Sequence, residues 1–188
     1  MYSMKETRSK MVLSPLNQMR AYKRGALEEF FGHIDSLLES EQVRQLDDFR
    51  QHYCFSRLQH SIDVAYYSFF LSKLFGWDSK SAARAGLLHD MFLYDCHDDT
   101  YKVKRHLRQH PRIALENARG ICELNKIEED IIKKHMWLIT MRPPRYKESY
   151  IVTFVDKYCA LRELLISATR KCGEKLAVRQ NYRSLKSA

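Results

Sequence analysis

The chain has 188 residues, of which 45% are hydrophobic and 29% are charged, and it contains only six glycines and four prolines. This length and composition predict a folded chain with one main domain, and they exclude a disordered or a fibrous protein. The formal net charge of +9 favours an anionic partner, which charge alone leaves open as a phosphorylated compound, a nucleic acid or an acidic membrane face.

The five cysteines are widely spaced, and no two of them form a Cys-x-x-Cys pair. This pattern predicts reduced thiols rather than a zinc knuckle or a redox motif. The first residues carry charges of both signs with no apolar stretch behind them, and no apolar window is long enough to span a membrane. We therefore expect a cytoplasmic protein without a membrane span.

The first 50 residues are predicted as an N-terminal helical extension. Ser14 followed by Pro15 indicates the start of a helix that continues to Phe31. A short helix is expected over 35–38, and a third over 41–49.

The most regular apolar spacing lies between Arg57 and Phe75, where apolar residues recur every three or four positions. This spacing predicts an amphipathic helix, and Gly76 stands where a C-terminal cap belongs. The next helix is expected to begin at Asp78 or Ser79 and to end near Leu88.

The remainder of the chain predicts helices separated by polar or proline-containing loops. A loop is expected over 91–105, and helices are expected over 111–118, 127–136 and 148–166. Residues 141–146 are interpreted as a lid or as a rigid connector. No apolar alternation typical of strands exceeds four residues. The prediction is an all-α fold, with a core domain over 51–168 and a basic tail over 169–188 that carries +5 of the net charge.

Four polar residues that can bind metals fall on three of these helices. His60 lies in the first turn of one helix, the adjacent His89 and Asp90 end the next, and Asp156 lies within the last. Packed helices bring such side chains to one point, and divalent metals bind mixed sets of imidazole and carboxylate groups. A metal site is therefore predicted between helices.

The order of these residues resembles the HD-domain metal-dependent phosphohydrolase superfamily. The segment Arg57-Leu-Gln-His60 is similar to the family's first histidine helix, Gly86-Leu-Leu-His89-Asp90 to its His-Asp pair, and Val155-Asp156-Lys157 to its final aspartate. The resemblance covers about residues 55 to 165. It implies a helical bundle with the metal site between helices.

Two further histidines, His110 and His135, stand where the two-metal branch of that superfamily carries extra ligands. In the arrangement this implies, Asp90 bridges two ions, with His60, His89 and Asp156 on one ion and His110 and His135 on the other. The competing interpretation makes His110 a helix-start residue and His135 a partner of a helix dipole. The cofactor is expected to be one or two divalent ions, among which Fe, Mn, Mg, Zn, Co and Ni are not distinguished.

The implied reaction is attack of metal-activated water on phosphorus, which also needs cations for the phosphate and a group that moves a proton. Candidate catalytic residues are Asp90, the cations Arg57 and Lys157, and Asp63, which lies three residues after His60 on the same helix face. The chain departs from the nucleotide-cleaving branches at Leu93, where those members often carry lysine or glutamate. Further candidates in the acidic loop are Asp95 and Asp98 for the proton and His97 as a reserve ligand.

The leading hypothesis is a metal-dependent phosphohydrolase that acts on a small phosphorylated metabolite, with a nucleotide as the expected substrate. The first alternative is a non-catalytic HD protein that binds a nucleotide or a nucleic acid through its positive charge, which Leu93 and the basic tail favour. The second alternative is a di-iron oxygenase, because oxygenases of the superfamily share the same order of six ligands. No recognisable nucleic-acid-binding module is present, and the oligomeric state stays open.

Overall fold

The computed structural model describes residues 15–52, 55–94 and 103–186, with side chains over 24–51, 55–94 and 108–169. Within these ranges the chain forms eight α-helices and one small hairpin, so the predicted all-α fold is confirmed. The helices are α1 (Pro15–Leu38), α2 (Glu41–Arg44), α3 (Arg57–Leu74), α4 (Ser79–Leu88), α5 (Val103–Ile121), α6 (Lys126–Lys134), α7 (Trp137–Thr140) and α8 (Lys147–Lys186).

The N-terminal helices differ from the prediction. α1 is continuous to Leu38, so the predicted break after Phe31 is wrong. The apolar face of α1 continues through the buried Phe30 and Ile34, and one exposed Gly32 costs a helix only about 1 kcal/mol. The predicted helix over 41–49 is also shorter, because α2 passes into a 3-10 turn at Gln45.

A two-stranded antiparallel hairpin leads into α3. Its strands are β1 (Arg50–His52) and β2 (Phe55–Ser56), and β2 ends at the N-cap of α3. The Ser56 hydroxyl accepts from the Gln59 N–H while the Gln59 side chain accepts from the Ser56 N–H, which fixes the first turn of α3. α3 therefore begins where the sequence predicts.

α3 and α4 form the closest helix pair in the core. Gly76 adopts a positive φ of 65° between them, which agrees with its predicted role as a C-terminal cap. A Cβ atom at Gly86 would lie 2.8 Å from the Cα of Ala65, so only glycine allows this approach. Buried side chains from α1, α3, α4, α6 and α8 meet in one continuous apolar core.

The predicted start of a helix at Pro111 is wrong, because Pro111 lies inside α5. Proline inside a helix removes one hydrogen bond and costs about 3 kcal/mol. Burial of His110, Pro111 and Ala114 against the rest of the protein offsets that cost. α5 thus begins eight positions earlier than expected, at Val103.

A short connector joins α7 to α8, the last helix. The predicted helix over 148–166 is the first half of α8, which continues to Lys186 through the residues predicted as a tail. In the connector, Pro144 is buried and the Arg145 N–H donates to Oδ2 of Asp130 at 2.8 Å. This anchoring favours a rigid connector over a lid. Among the described residues, no helix has the length and apolar content needed to cross a bilayer.

Candidate metal centre

Six buried polar side chains from five helical segments meet inside the bundle. α3 supplies His60, the residues directly after α4 supply His89 and Asp90, and α8 supplies Asp156. α5 supplies His110, and the residue that follows α6 is His135. Each of the six is at most 6% exposed, so water reaches them only sparingly.

The six side chains form two groups of three. His60, His89 and Asp156 make one group, and Asp90, His110 and His135 make the other. Within each group, one ligand atom from every residue lies within 4.8 Å of the others. Each group therefore offers the two imidazoles and one carboxylate that a divalent ion accepts as ligands.

Asp90 belongs to the second group, but its carboxylate also faces the first. Its Oδ1 is 3.4 Å from Nε2 of both His110 and His135, and its Oδ2 is 3.6 Å from Nε2 of His89. A carboxylate with one oxygen toward each group can contact ions on both sides. This is the position that the sequence resemblance implies for a bridging ligand.

Backbone carbonyls fix which nitrogen of two histidines faces the cluster. The Nδ1 atom of His89 lies 2.7 Å from the Gly86 carbonyl, and that of His135 lies 2.8 Å from the Ile132 carbonyl. A carbonyl only accepts hydrogen bonds, so each Nδ1 carries a proton, and Nε2 is the nitrogen of each ring that faces the cluster and can bind an ion.

Two atoms of the cluster support its fit to a metal. Nε2 of His89 and Oδ1 of Asp90 are buried and lack a hydrogen-bond partner within the described chain. A buried polar atom without a partner costs about 1–3 kcal/mol, which coordination to an ion would relieve. The residues present therefore fit a divalent metal.

The charges of Asp90, Asp156 and His135 suit metal binding as well. Burial opposes ionisation of Asp90, but the nearby His89, His110 and His135 hold its pKa well below the usual range. Burial also opposes ionisation of Asp156, and there a hydrogen bond from His60 lowers the pKa. Burial lowers the pKa of His135 to about 4, so at neutral pH the imidazole is uncharged. Ionised carboxylates and a neutral imidazole are the forms that bind metals.

A comparison with protein-family models adds an independent observation. The HD domain model matches residues 57–161, which is more than half of the chain. The chain belongs to the HD-domain family. Curated proteins and solved structures give no match to it. The match spans all six residues of the cluster, and the predicted resemblance is confirmed.

Two supporting residues that the sequence reasoning missed lie just outside the range matched by the HD domain model. Nδ1 of His60 lies 2.9 Å from Oε1 of Glu163, and the Gln51 side-chain amide donates to Oδ2 of Asp90 at 2.7 Å. Burial opposes protonation of His60, but hydrogen bonds to Asp156 and Glu163 raise its pKa to about 10. Glu163 stands seven residues, or two helical turns, after Asp156, and that spacing could have identified it. Gln51 carries no comparable signal.

Arg57 is placed in the wall of the HD-domain site rather than at an open phosphate position. Its guanidinium is fully buried, donates to the carbonyls of Phe92 and Tyr94, and lies 3.7 Å from the centre of the Phe92 ring. Nε of Arg57 also donates to Gln51 at 3.0 Å. Arg57 thus holds the chain that leaves the His-Asp pair.

The other predicted catalytic residues differ in their distance from the cluster. Nζ of Lys157 lies 2.6 Å from Oδ2 of Asp156 and is partly exposed, so it lies at the edge of the cluster. Asp63 instead pairs with Arg162 at 2.8 Å, so its predicted role beside His60 is not seen. Leu93 packs against the apolar core and supplies no polar group. Asp95, His97 and Asp98 lie outside the described residues.

Proposed function

We propose that this HD domain is a metal-dependent phosphohydrolase that cleaves a phosphate ester or anhydride of a small metabolite, with a nucleotide as the expected substrate. The observation that carries the proposal is the pair of three-residue groups with Asp90 between them. Two such groups match the needs of phosphoryl transfer, in which both the attacking and the leaving oxygen must be stabilised.

Residues His60, His89 and Asp156 would hold one divalent ion, and His110 and His135 the other, with Asp90 between the two. Bound ions supply Lewis acidity, which polarises a phosphate oxygen and makes water a stronger nucleophile at neutral pH. The protein contributes the preset orientation of each ligand. Carbonyl contacts hold the rings of His89 and His135, and Glu163 holds that of His60.

Among the residues whose side chains are described, Lys157 is the best-placed cation for substrate binding. Its ammonium group pairs with Asp156 at the cluster edge and remains partly exposed, so an incoming phosphate oxygen can reach it. A lysine here offsets negative charge on the phosphate as the reaction proceeds. Asp63 pairs with Arg162 rather than with the cluster, so we assign it no part in proton transfer. Asp90 is proposed as the ligand shared by the two ions.

The test is hydrolysis of a panel of nucleotides and phosphate monoesters by protein purified without chelators, together with measurement of metal ions per chain. We expect release of phosphate or of a nucleotide, two ions per chain, and loss of both in a His89→Ala, Asp90→Ala variant. The Asp63→Asn variant serves as the matched control, because Asp63 pairs outside the cluster.

Undiminished hydrolysis by the double variant would overturn the proposal. Iron as the only metal, with oxygen consumption and no phosphate release, would favour the di-iron oxygenase alternative. Nucleotide or nucleic-acid binding with no turnover of any substrate would favour the non-catalytic alternative.

A further inference from the structure

A second concave surface lies on the outer side of α5, between that helix, α6 and α7. We name it the α5–α7 groove; its volume is about 750 Å³, within the range of small-molecule sites. One carboxylate, that of Glu116, lines it together with five cations. The cations come from α5, from α6 and from the residues that follow α7: Arg108, Arg112, Arg119, Lys133 and Arg142.

Three of these cations have no anionic partner in the described part of the chain. Arg112 pairs with Glu116, and Arg119 pairs with Glu129. No ion pair or hydrogen bond from the side chains of Arg108, Lys133 and Arg142 occurs within that part, and all three are exposed. Like charges gathered in one concave surface create a local positive field that favours a bound anion.

The groove also has an apolar component. Pro111 and Leu115 lie buried at its base, while Ile139 and Met141 at its rim are 42% and 80% exposed. Met141 adopts a positive φ of 56°, which is uncommon for a residue with a side chain and costs free energy. An apolar floor beneath several cations suits a ligand that combines an anionic chain with an uncharged ring.

The groove and the metal centre lie on opposite faces of the same two helices. On α5, Arg108 precedes His110 by two residues, and Lys133 precedes His135 by two residues around the end of α6. Two residues of α-helix turn through about 200°, so each cation points away from its histidine. A ligand in the groove therefore does not contact the six residues of the metal centre.

We propose that the α5–α7 groove is a second ligand site, separate from the metal centre, that binds the polyphosphate chain of a small anion. Arginine and lysine side chains bind phosphate oxygens by charge-assisted hydrogen bonds, and arginine can do so with two bonds at once. The limited volume of the groove, about 750 Å³, favours a compact ligand over RNA, whose backbone would need a longer basic track. Binding here requires no hydrolysis, so the inference does not depend on the proposed function.

The test is calorimetric titration of the full chain, after removal of metal with a chelator so that the metal centre does not bind the probes, with inorganic tripolyphosphate and, separately, with a non-hydrolysable nucleoside triphosphate. In a Lys133→Glu, Arg142→Glu variant, we expect the dissociation constant for both probes to rise at least about tenfold. Tighter binding of the nucleoside triphosphate would identify a nucleotide as the source of the polyphosphate, and equal binding would identify the phosphate chain alone. Either result supports the site.

The matched control is an Arg24→Glu, Lys80→Glu variant, which reverses two exposed charges away from the groove. The control should bind both probes as the wild type does. Because glutamate near the end of α6 can weaken that helix, a Lys133→Gln, Arg142→Gln variant provides a milder test with the same direction of change. Thermal unfolding of each variant reports whether it is folded.

Three results would overturn the inference: wild-type affinity in the groove variants, an equal loss in the control, or binding of RNA oligonucleotides but of neither probe. Hydrolysis of p-nitrophenyl phosphate and metal content should match the wild type in the groove variants, and loss of either would show that the groove belongs to the metal centre. Groove-dependent binding by a chain without any phosphatase activity would support this site while contradicting the proposed function.

Discussion

The carboxylate of Glu163 lies 2.9 Å from Nδ1 of His60, and both side chains are fully buried. A carboxylate behind a metal-binding histidine fixes the ring and strengthens its other nitrogen as a ligand. The Glu163→Gln variant keeps an oxygen that can accept this bond but removes the charge. We expect its metal affinity to fall about 10- to 100-fold, measured by competition with a coloured chelator.

A Glu116→Gln variant is the control for this measurement, because Glu116 is exposed and pairs with Arg112 on the surface of α5. Thermal unfolding of the metal-free proteins shows whether the buried substitution has merely loosened the fold. Unchanged metal affinity in Glu163→Gln would mean that the contact with His60 is not used to tune the ligand.

Asp90 lies between the two groups of ligands, so its loss should disturb both of them. In the Asp90→Asn variant we expect less metal per chain and a fall in phosphatase activity of roughly 100-fold or more. The Asp63→Asn variant, which breaks only the pair with Arg162, should retain both. Elemental analysis and steady-state kinetics check these outcomes, and equal metal content in the two variants would contradict the bridging position of Asp90.

Metal removal should lower the stability of the folded chain, because the ligand atoms meet only when the helices are packed. A metal present at 100 times its dissociation constant adds about 2.7 kcal/mol of stability. For a chain of this size that corresponds to a rise of about 5–10 °C in the melting temperature. Calorimetry before and after dialysis against a chelator measures the difference, which should be smaller in Asp90→Asn.

Asp130 links α6 to the connector and to the start of α8. It accepts hydrogen bonds from the Arg145 N–H and the Ser149 hydroxyl and pairs with Lys134 at 2.7 Å. Burial tends to raise its pKa, but these contacts outweigh burial and hold the pKa below its usual range. Its stabilising contribution is therefore complete above the unfolded pKa of about 4 and is lost as pH falls through the lower folded value.

The Asp130→Asn variant should accordingly lower the free energy of unfolding by about 1–3 kcal/mol at pH 7. The difference from the wild type should shrink as the pH falls below about 4. Urea denaturation at several pH values measures it, with the exposed Asp35→Asn as the control. A pH-independent difference would assign the loss to packing rather than to the charge of Asp130.

The six residues of the candidate metal centre could be named from the sequence because their order resembles that of the HD-domain superfamily, and periodicity located most of the helices that carry them. His60 and Asp156 fall within regular amphipathic helices, and Gly76 marks the end of one of them. The start of α5 was not predictable, because packing around Pro111 overrides the local preference of proline for a first turn.

The supporting contacts escaped prediction for a different reason. Arg57 was expected to face phosphate because it is a cation one turn before His60, yet its side chain folds back to the Phe92 carbonyl 35 residues away. Gln51 reaches Asp90 through a hairpin that is too short to show strand periodicity. Such contacts depend on tertiary packing, which spacing along the chain does not encode.

The absent side chain of Gly86 has a consequence for how the site is tuned. α3 carries His60 and α4 leads into His89, so the separation of these two helices sets the span across one group of ligands. The same glycine supplies the carbonyl that orients the ring of His89. The dimensions of the metal centre thus depend on a residue that has no functional group of its own, and a survey restricted to polar side chains would overlook it.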